Sequence, residues 1–278
     1  MSAFPFESAE SALATLPPRQ SLRQAGLTLA WREAGSGPAV VFLHGLLGSA
    51  DSWVLQFADL AASHRVVAWD APGYGGSSPL GPDIAAYADA LAVLLARLGL
   101  EGATVVGHSM GGVVAALAAA RPESPIGRVV LSCSHPGYAA PPDTPPTAKL
   151  LGRLEALRSE GPEAYGRARA QAMVAPGASA EAVALAARIA AETRPDGLYN
   201  ATRALQFADA RPCYAQIRAP MLVLFGGADP VVRPELSAEL RALTPRATHR
   251  VLPGVGHAPY LEDPATYDAA LRDFVSRP

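Results

Sequence analysis

Short unbroken apolar runs alternate along this chain with stretches whose apolar residues fall three or four positions apart. The runs are "AVVFL" (39–43), "RVVAW" (65–69), "ATVV" (103–106), "RVVLSC" (128–133) and, much later, "LVLF" (222–225). A strand that is apolar on consecutive positions is covered on both faces, which is the habit of parallel sheets. Between them, Ile84, Tyr87, Leu91, Leu94, Leu95 and Leu98 keep helical spacing, with Pro82 suited to a first turn and Gly99 to the stop. Further helices are expected at about Asp51–Ala62, in "MGGVVAALAAA", near Pro234–Leu243 and from about Pro264 to Val275. Before the first run, Leu27, Leu29 and Trp31 alternate in the second strand of a hairpin whose turns are marked by Gly26 and Gly35–Gly37. The first 20 residues read as irregular. Strand-helix alternation of this kind implies an α/β fold with a mostly parallel central sheet and helices on both faces.

The pattern breaks once. "SHPGYAAPPDTPP" is a proline-rich linker, and residues 147–208 are helical in composition throughout. The chain therefore divides into a first part of the core (1–133), a helical insertion (134–208) and a second part of the core (209–278). With 278 residues, half of them hydrophobic, such a core can be well buried. The net charge of −2 offers no electrostatic case for nucleic acid or an anionic membrane. Within the insertion eight Lys and Arg face seven Asp and Glu, so its total charge points to no anionic substrate. Two cysteines, Cys133 and Cys213, make neither a disulfide framework nor a metal set, and a reduced, cytoplasmic setting is expected. "MSAFPFESAESALATLPPRQ" lacks the basic start and apolar stretch of a signal peptide, and no apolar run approaches a membrane span.

Chemistry concentrates where strands end. "GHSMGG" (107–112) directly follows "ATVV" and opens a small-residue helix. A strand running into G-x-S-x-G and then a helix lifts the serine above the carboxyl edge of the sheet, on a turn tight enough to need glycine around it. Ser109 is thus a candidate nucleophile, and a serine hydroxyl needs a base that a carboxylate orients. Among six histidines, His257 in "GVGHAPYLEDP" lies in a glycine-flanked loop after the last strand and is favoured as the base. His64 and His249 read as edge residues, His44 as a loop brace, and the His108 side chain should project away from Ser109. For the acid, Asp229 in "LVLFGGADPVV" ends the penultimate strand. Asp70 ends a strand too, but it opens the "PGYG" turn and suits structural bracing better. Ser109, Asp229, His257 is the Ser…Asp…His order of one particular fold.

In "HGLLGS", "DAPGYGGS", "GHSMGG", "GGADPVV" and "GHAPYLEDP", in that order, the chain resembles the α/β-hydrolase superfamily over nearly its whole length. The resemblance implies an α/β-hydrolase fold in which residues 134–208 form a helical lid. It also implies an oxyanion hole from the backbone N–H groups of Leu46 and Met110. In lid length and in the rhythm of "LEALRSEGPEAY" and "RPDGLYNATRAL" the chain is similar to 3-oxoadipate enol-lactonases and related small carboxylesterases. Carbon–carbon bond hydrolases of the fold typically carry Asn before the nucleophile and an aromatic soon after the histidine, where His108 and Ala258 stand here. The implied activity is hydrolysis of a carboxylic ester or lactone of a small molecule through an acyl-enzyme, with no metal or organic cofactor. Thioester, amide or C–C hydrolysis would use the same residues, and a ligand receptor that merely retains the fold is the reading from another class. His135 and Tyr138, at the start of the linker, are the polar groups expected nearest the substrate.

Overall fold

The computed structural model describes residues 4–276. Its eight strands are β1 (Gln20–Gln24), β2 (Leu27–Ala34), β3 (Ala39–Leu43), β4 (Arg65–Asp70), β5 (Thr104–His108), β6 (Arg128–Ser132), β7 (Met221–Gly226) and β8 (Thr248–Leu252). They form one sheet in the order β1-β2-β4-β3-β5-β6-β7-β8. The β1–β2 and β2–β4 pairs are antiparallel and every later pair is parallel. The expected strands are all present.

The apolar runs are continuous because each strand feeds two cores. Val41, Leu43, Val105, Val129, Leu131 and Val223 face one side, and Val40, Phe42, Val106, Val130, Leu222 and Leu224 the other. The first side is covered by helices α3 (Ile84–Leu98) and α4 (Met110–Ala119), after α1 (Ala9–Ala14) and α2 (Val54–Leu60) have been laid down on the second. The insertion between β6 and β7 supplies α5 (Ala148–Glu160), α6 (Pro162–Gln171), α7 (Ala180–Ala191) and α8 (Pro195–Phe207). Then come α9 (Arg211–Tyr214), α10 (Pro234–Leu243), α11 (Pro259–Glu262) and α12 (Pro264–Val275). Among the described residues no helix is long and apolar enough to cross a membrane.

Several boundaries depart from expectation for local reasons. The start of the chain is not wholly irregular. Ser8 and Ser11 form a reciprocal capping box that starts α1, and Ala9 and Ala12 bury against the second core. Asp83, not Pro82, begins α3, because its carboxylate accepts the Ala85 N–H, while Gly99 closes the helix in the left-handed conformation as expected. The helix after β3 opens as a 3-10 turn, Ala50–Trp53, since Ser49 and Ser52 cap one another there. The four-residue helices α9 and α11 carry too few apolar positions to show a period, and the hydrophobic pattern misses both.

One buried acid ties the second core together. Gln56 Nε2 on α2 donates to Asp268 Oδ1 on α12 at 3.1 Å, and to the Tyr260 carbonyl at 3.1 Å. Burial pushes the Asp268 carboxyl up to about 7, against the Gln56 hydrogen bond and with the help of the nearby Asp59 charge. The folded chain therefore keeps a proton that the unfolded chain, with a carboxyl pKa of about 4, has already lost. Asp268 should make stability fall as pH rises from about 4 to about 7, and leave it level above that. Asp268→Asn, which keeps the acceptor oxygen, should flatten this slope and raise the urea midpoint at pH 8, with little effect at pH 4. Equal slopes for the two proteins would refute the assignment.

Candidate active site

The strand β5 lies in the middle of the sheet, between β3 and β6, and the chain reverses sharply where it ends. Ser109 takes φ 52° and ψ −114°, a conformation that costs a side-chain-bearing residue about 1–3 kcal/mol. Three bonds hold it there. Its N–H donates to the Ser132 carbonyl at 2.9 Å, and its own carbonyl accepts the Gly112 N–H at 3.0 Å and the Ser134 hydroxyl at 2.8 Å. The glycines make room for the turn. A Cβ at Gly107 would stand 2.3 Å from the Gly111 carbonyl oxygen, one at Gly111 2.3 Å from that of Leu43, and one at Gly112 2.3 Å from the Ser134 hydroxyl.

At the same edge, Asp229 follows β7 and His257 follows β8. The His257 Nδ1–H donates to Asp229 Oδ2 at 2.9 Å, leaving Nε2 with its lone pair. Asp229 Oδ1 accepts the N–H groups of Val231 at 2.7 Å and Val232 at 3.1 Å. Burial alone would raise the Asp229 pKa, but the His257 hydrogen bond and charge and these two amides outweigh it, so the carboxyl sits below its ordinary value. It stays ionised. Ser109 and His257 line one cavity of about 70 Å³, together with Leu46, His108 and Tyr260.

The oxyanion candidates are set by two neighbouring loops. Met110 is the first residue of α4, where an N–H has no acceptor within the helix. The Leu46 N–H is aimed through its peptide partner. The His44 Nδ1–H donates to the Gly45 carbonyl at 2.7 Å and the Gly48 N–H donates to it at 3.1 Å. In a trans peptide the N–H points opposite to the C=O, so fixing the Gly45 carbonyl turns the Leu46 N–H the other way. His44 Nε2 in turn accepts the Ala71 N–H at 2.9 Å, which settles its tautomer, and burial lowers its pKa so that it stays neutral.

Asp70 braces this loop, as the sequence suggests. It is fully buried, accepts the Ala50 N–H at 2.8 Å and the Gly76 N–H at 3.0 Å, and pairs with Arg19 Nε at 2.7 Å. Arg19 also reaches Asp51 at 2.8 Å, and Arg32 meets Asp51 at 2.7 Å. The start of the chain, the hairpin and the loop after β3 are thereby fastened at one point.

His135 and Tyr138 also reach this edge. Their rings lie 4.8 Å apart and both line a second cavity, of about 400 Å³, that shares Leu46, Ser109, Arg153 and Val231 with the first. Burial lowers the His135 pKa to about 4, and its Nδ1 accepts the Gly137 N–H at 3.1 Å. It is therefore neutral, and one of its two nitrogens is already engaged.

Two residues do more than their positions in the sequence suggest. His108 does not turn away from the site. Its ring lies 4.7 Å from that of His257, and its Nε2–H donates to the His257 carbonyl at 2.7 Å. Burial, with His257 acting in the same direction, lowers its pKa to about 3, so it braces the loop as a neutral ring. Cys133 directly follows β6 with φ 45°, and its Sγ lies within 4.8 Å of the carboxylate oxygen of Asp229 and the ring nitrogen of His257. Burial and the Asp229 charge push its thiol well up, so a neutral S–H sits beside the pair. Pairing across the sheet creates both contacts, and no local motif announces them.

A family model described as alpha/beta hydrolase fold matches residues 38–264. The chain is 32% identical over 247 residues to the pimeloyl-[acyl-carrier protein] methyl ester esterase of Chromobacterium violaceum, covering 86% of this chain and 94% of that protein. It is 30% identical over 260 residues to the dihydrolipoyllysine-residue acetyltransferase component of the acetoin cleaving system of Cupriavidus necator. That match takes in 87% of this chain but spans 64% of that protein's length. Among solved structures, the enol-lactonase from Burkholderia xenovorans superposes with a TM-score of 0.79 at 25% identity, over 93% of this chain and all of that one.

The bracing by Asp70 can be measured. Asp70→Asn leaves Arg19 facing a neutral amide inside a buried network and should lower the unfolding free energy by roughly 3 kcal/mol. Chemical denaturation followed by tryptophan fluorescence reads the change, and an unaltered midpoint would contradict the bracing role.

Proposed function

The chain belongs to the α/β-hydrolase fold family and hydrolyses carboxylic ester bonds, and from that premise we propose that Ser109, His257 and Asp229 carry the reaction on a small-molecule ester or lactone. The observation that carries the proposal is the His257–Asp229 hydrogen bond at 2.9 Å beside the cavity that His257 shares with the strained Ser109.

Each step follows from the tautomer. With its Nδ1–H committed to Asp229, His257 offers the Nε2 lone pair, which takes the Ser109 proton as Oγ adds to the scissile carbonyl. The oxygen of that carbonyl becomes an oxyanion, and the N–H groups of Leu46 and Met110 stabilise it. In well-studied cases losing a single such donor slows turnover by about 10²–10³. The imidazolium then gives its proton to the leaving alkoxide, and an acyl ester of Ser109 remains. A water molecule repeats the sequence in reverse roles, with His257 taking its proton, and the carboxylic acid product leaves. In a lactone the alkoxide stays tethered to the acyl group and the product is a hydroxy acid or its keto tautomer. Asp229 remains ionised throughout, which favours the imidazolium that forms twice per turnover.

Residues 134–208 act as the lid in this reading. His135, Tyr138, Arg153, Thr202 and Gln206 come from that segment and wall the larger cavity. The 25% identity to a structure described as an enol-lactonase supports lactones beside simple esters. Free Cys133 and Cys213 suit a reducing, cytoplasmic setting.

Ser109→Ala should abolish turnover of 4-nitrophenyl butyrate while leaving the circular dichroism spectrum and melting temperature close to those of the wild type. A fluorophosphonate should add once to the wild type, on Ser109, and not to the variant. Asp229→Asn should lower kcat by about 10³–10⁴, because the amide can favour the wrong imidazole tautomer and no longer offsets the imidazolium charge. Labelling on another residue, or an Asp229→Asn enzyme with wild-type kcat, would overturn the assignment.

A further inference from the structure

The backbone that carries His257 is held at every N–H. Those of Gly256 and Ala258, on either side of it, donate to the Glu262 carboxylate, at 2.9 Å to Oε2 and 2.9 Å to Oε1. The His257 N–H between them donates to the Met173 carbonyl at 2.9 Å. A further amide completes the group, since the Ala175 N–H reaches Glu262 Oε2 at 2.8 Å. Two of the carbonyls are held as well. That of Val255 accepts the Ala228 N–H at 2.9 Å, and that of His257 accepts the His108 Nε2–H at 2.7 Å.

Met173 and Ala175 do not belong to the core. They stand on residues 172–179, the connection between α6 and α7 of the insertion, and both are buried. Glycine at 256 lets this connection come close, because a Cβ there would stand 2.4 Å from the Ala175 nitrogen and 2.9 Å from Glu262 Oε1. Glu262 ends α11, and among the described residues its carboxylate forms no ion pair. Three backbone amides are what meet its charge, and hydrogen bonds to an ionised acceptor are about twice as strong as neutral ones. A side-chain amide is no substitute. Its oxygen can accept from Ala175 and Gly256, but its NH2 group then faces the Ala258 N–H, donor against donor.

We propose that Glu262 is a positioning residue for the base, and that it seats His257 against residues 172–179 so that the insertion forms part of the mounting of the base. The inference rests on reading His257 as the base of an ester hydrolase. Asp229 holds the imidazole at Nδ1 alone, and a ring held at one atom can pivot about that bond. Pinning the backbone on both sides of His257 removes this freedom and fixes where Nε2 meets the Ser109 hydroxyl. Lifting the connection would take away the acceptor of the His257 N–H and one of the three donors to Glu262. Docking of the insertion and alignment of the base are thereby one event.

Glu262→Gln should lower kcat for 4-nitrophenyl butyrate by about 100-fold with KM little changed, the scale on which catalysis responds to a misplacement of about 1 Å. Proton NMR supplies a readout that stability alone does not move. The wild type should show a downfield signal from the His257 Nδ1–H, identified by its absence from Asp229→Asn, and Glu262→Gln should broaden it or lose it to solvent exchange. Gly256→Ala, which drives a methyl group against the connection and the carboxylate, should act in the same way and decides the matter if Glu262→Gln does not fold. Variants that melt at a lower temperature but keep the wild-type kcat and the Nδ1–H signal would overturn the positioning role and leave the hydrolase reading standing. A signal lost in the variants, from a wild type that hydrolyses no ester, would do the reverse.

Discussion

Everything at this site depends on a backbone conformation that Ser109 would not adopt by itself. At φ 52° and ψ −114° the residue is strained, and the strain persists because the surroundings determine its position several times over. The strand before it is hydrogen-bonded on both sides, by β3 and β6, and the helix after it is buried against the sheet. Ser134 and Ser132, from the end of the next strand, grip its carbonyl and its N–H. The central strand is therefore more than a core element. Its two neighbours convert the burial of Val105 and Val106 into a fixed position for one hydroxyl.

The residues that share this edge with that hydroxyl arrive there by the same physical circumstance. In a parallel sheet every strand ends at one edge, so loops distant in sequence arrive together there. Asp229 and His257 sit on the loops after β7 and β8, while His44 and Leu46 sit on the loop after β3. Each loop is fastened by a buried polar bond to something besides its own strand. His108 holds the His257 carbonyl, His44 holds the Ala71 amide, and Asp70 holds the Ala50 amide. Two of the three bracing groups are histidines that burial keeps neutral, so they act as hydrogen-bonding struts and carry no charge that would disturb the Asp229–His257 pair.

The helical insertion obeys different rules. Three of its helices, α5, α6 and α8, meet at a small cluster of Leu150, Leu157, Tyr165 and Leu198, with Leu47 from the core edge against it, while α7 buries Leu185, Ala186 and Ile189 in the second core. No ladder of sheet hydrogen bonds dictates where its side chains face, and α5 and α6 are only weakly amphipathic, although α7 and α8 are as amphipathic as α3, α10 and α12 of the core. The exposure of its acids and the turn of Lys149, Arg153 and Arg169 toward the cavities at Ser109 follow from how α5, α6 and α8 are docked over the edge.

Much of this was legible in the residues alone. The strands announce themselves by doubly buried apolar runs, and α10 and α12 by helical spacing that opens on proline, because each depends on short-range rules of burial and backbone geometry. Ser109, Asp229 and His257 were legible for the same reason, since each sits in a short glycine-bearing turn directly after a strand. The short helices α9 and α11 were not, because four residues are too few to carry a period. Neither was the pairing of Cys133 with the Asp229 side of the site, nor the strut made by His108, because both join positions more than 90 residues apart. The insertion's composition could only sum to near neutrality. Its charges acquire a direction from the docking of the helices, and that docking is decided by packing between segments that no local pattern connects.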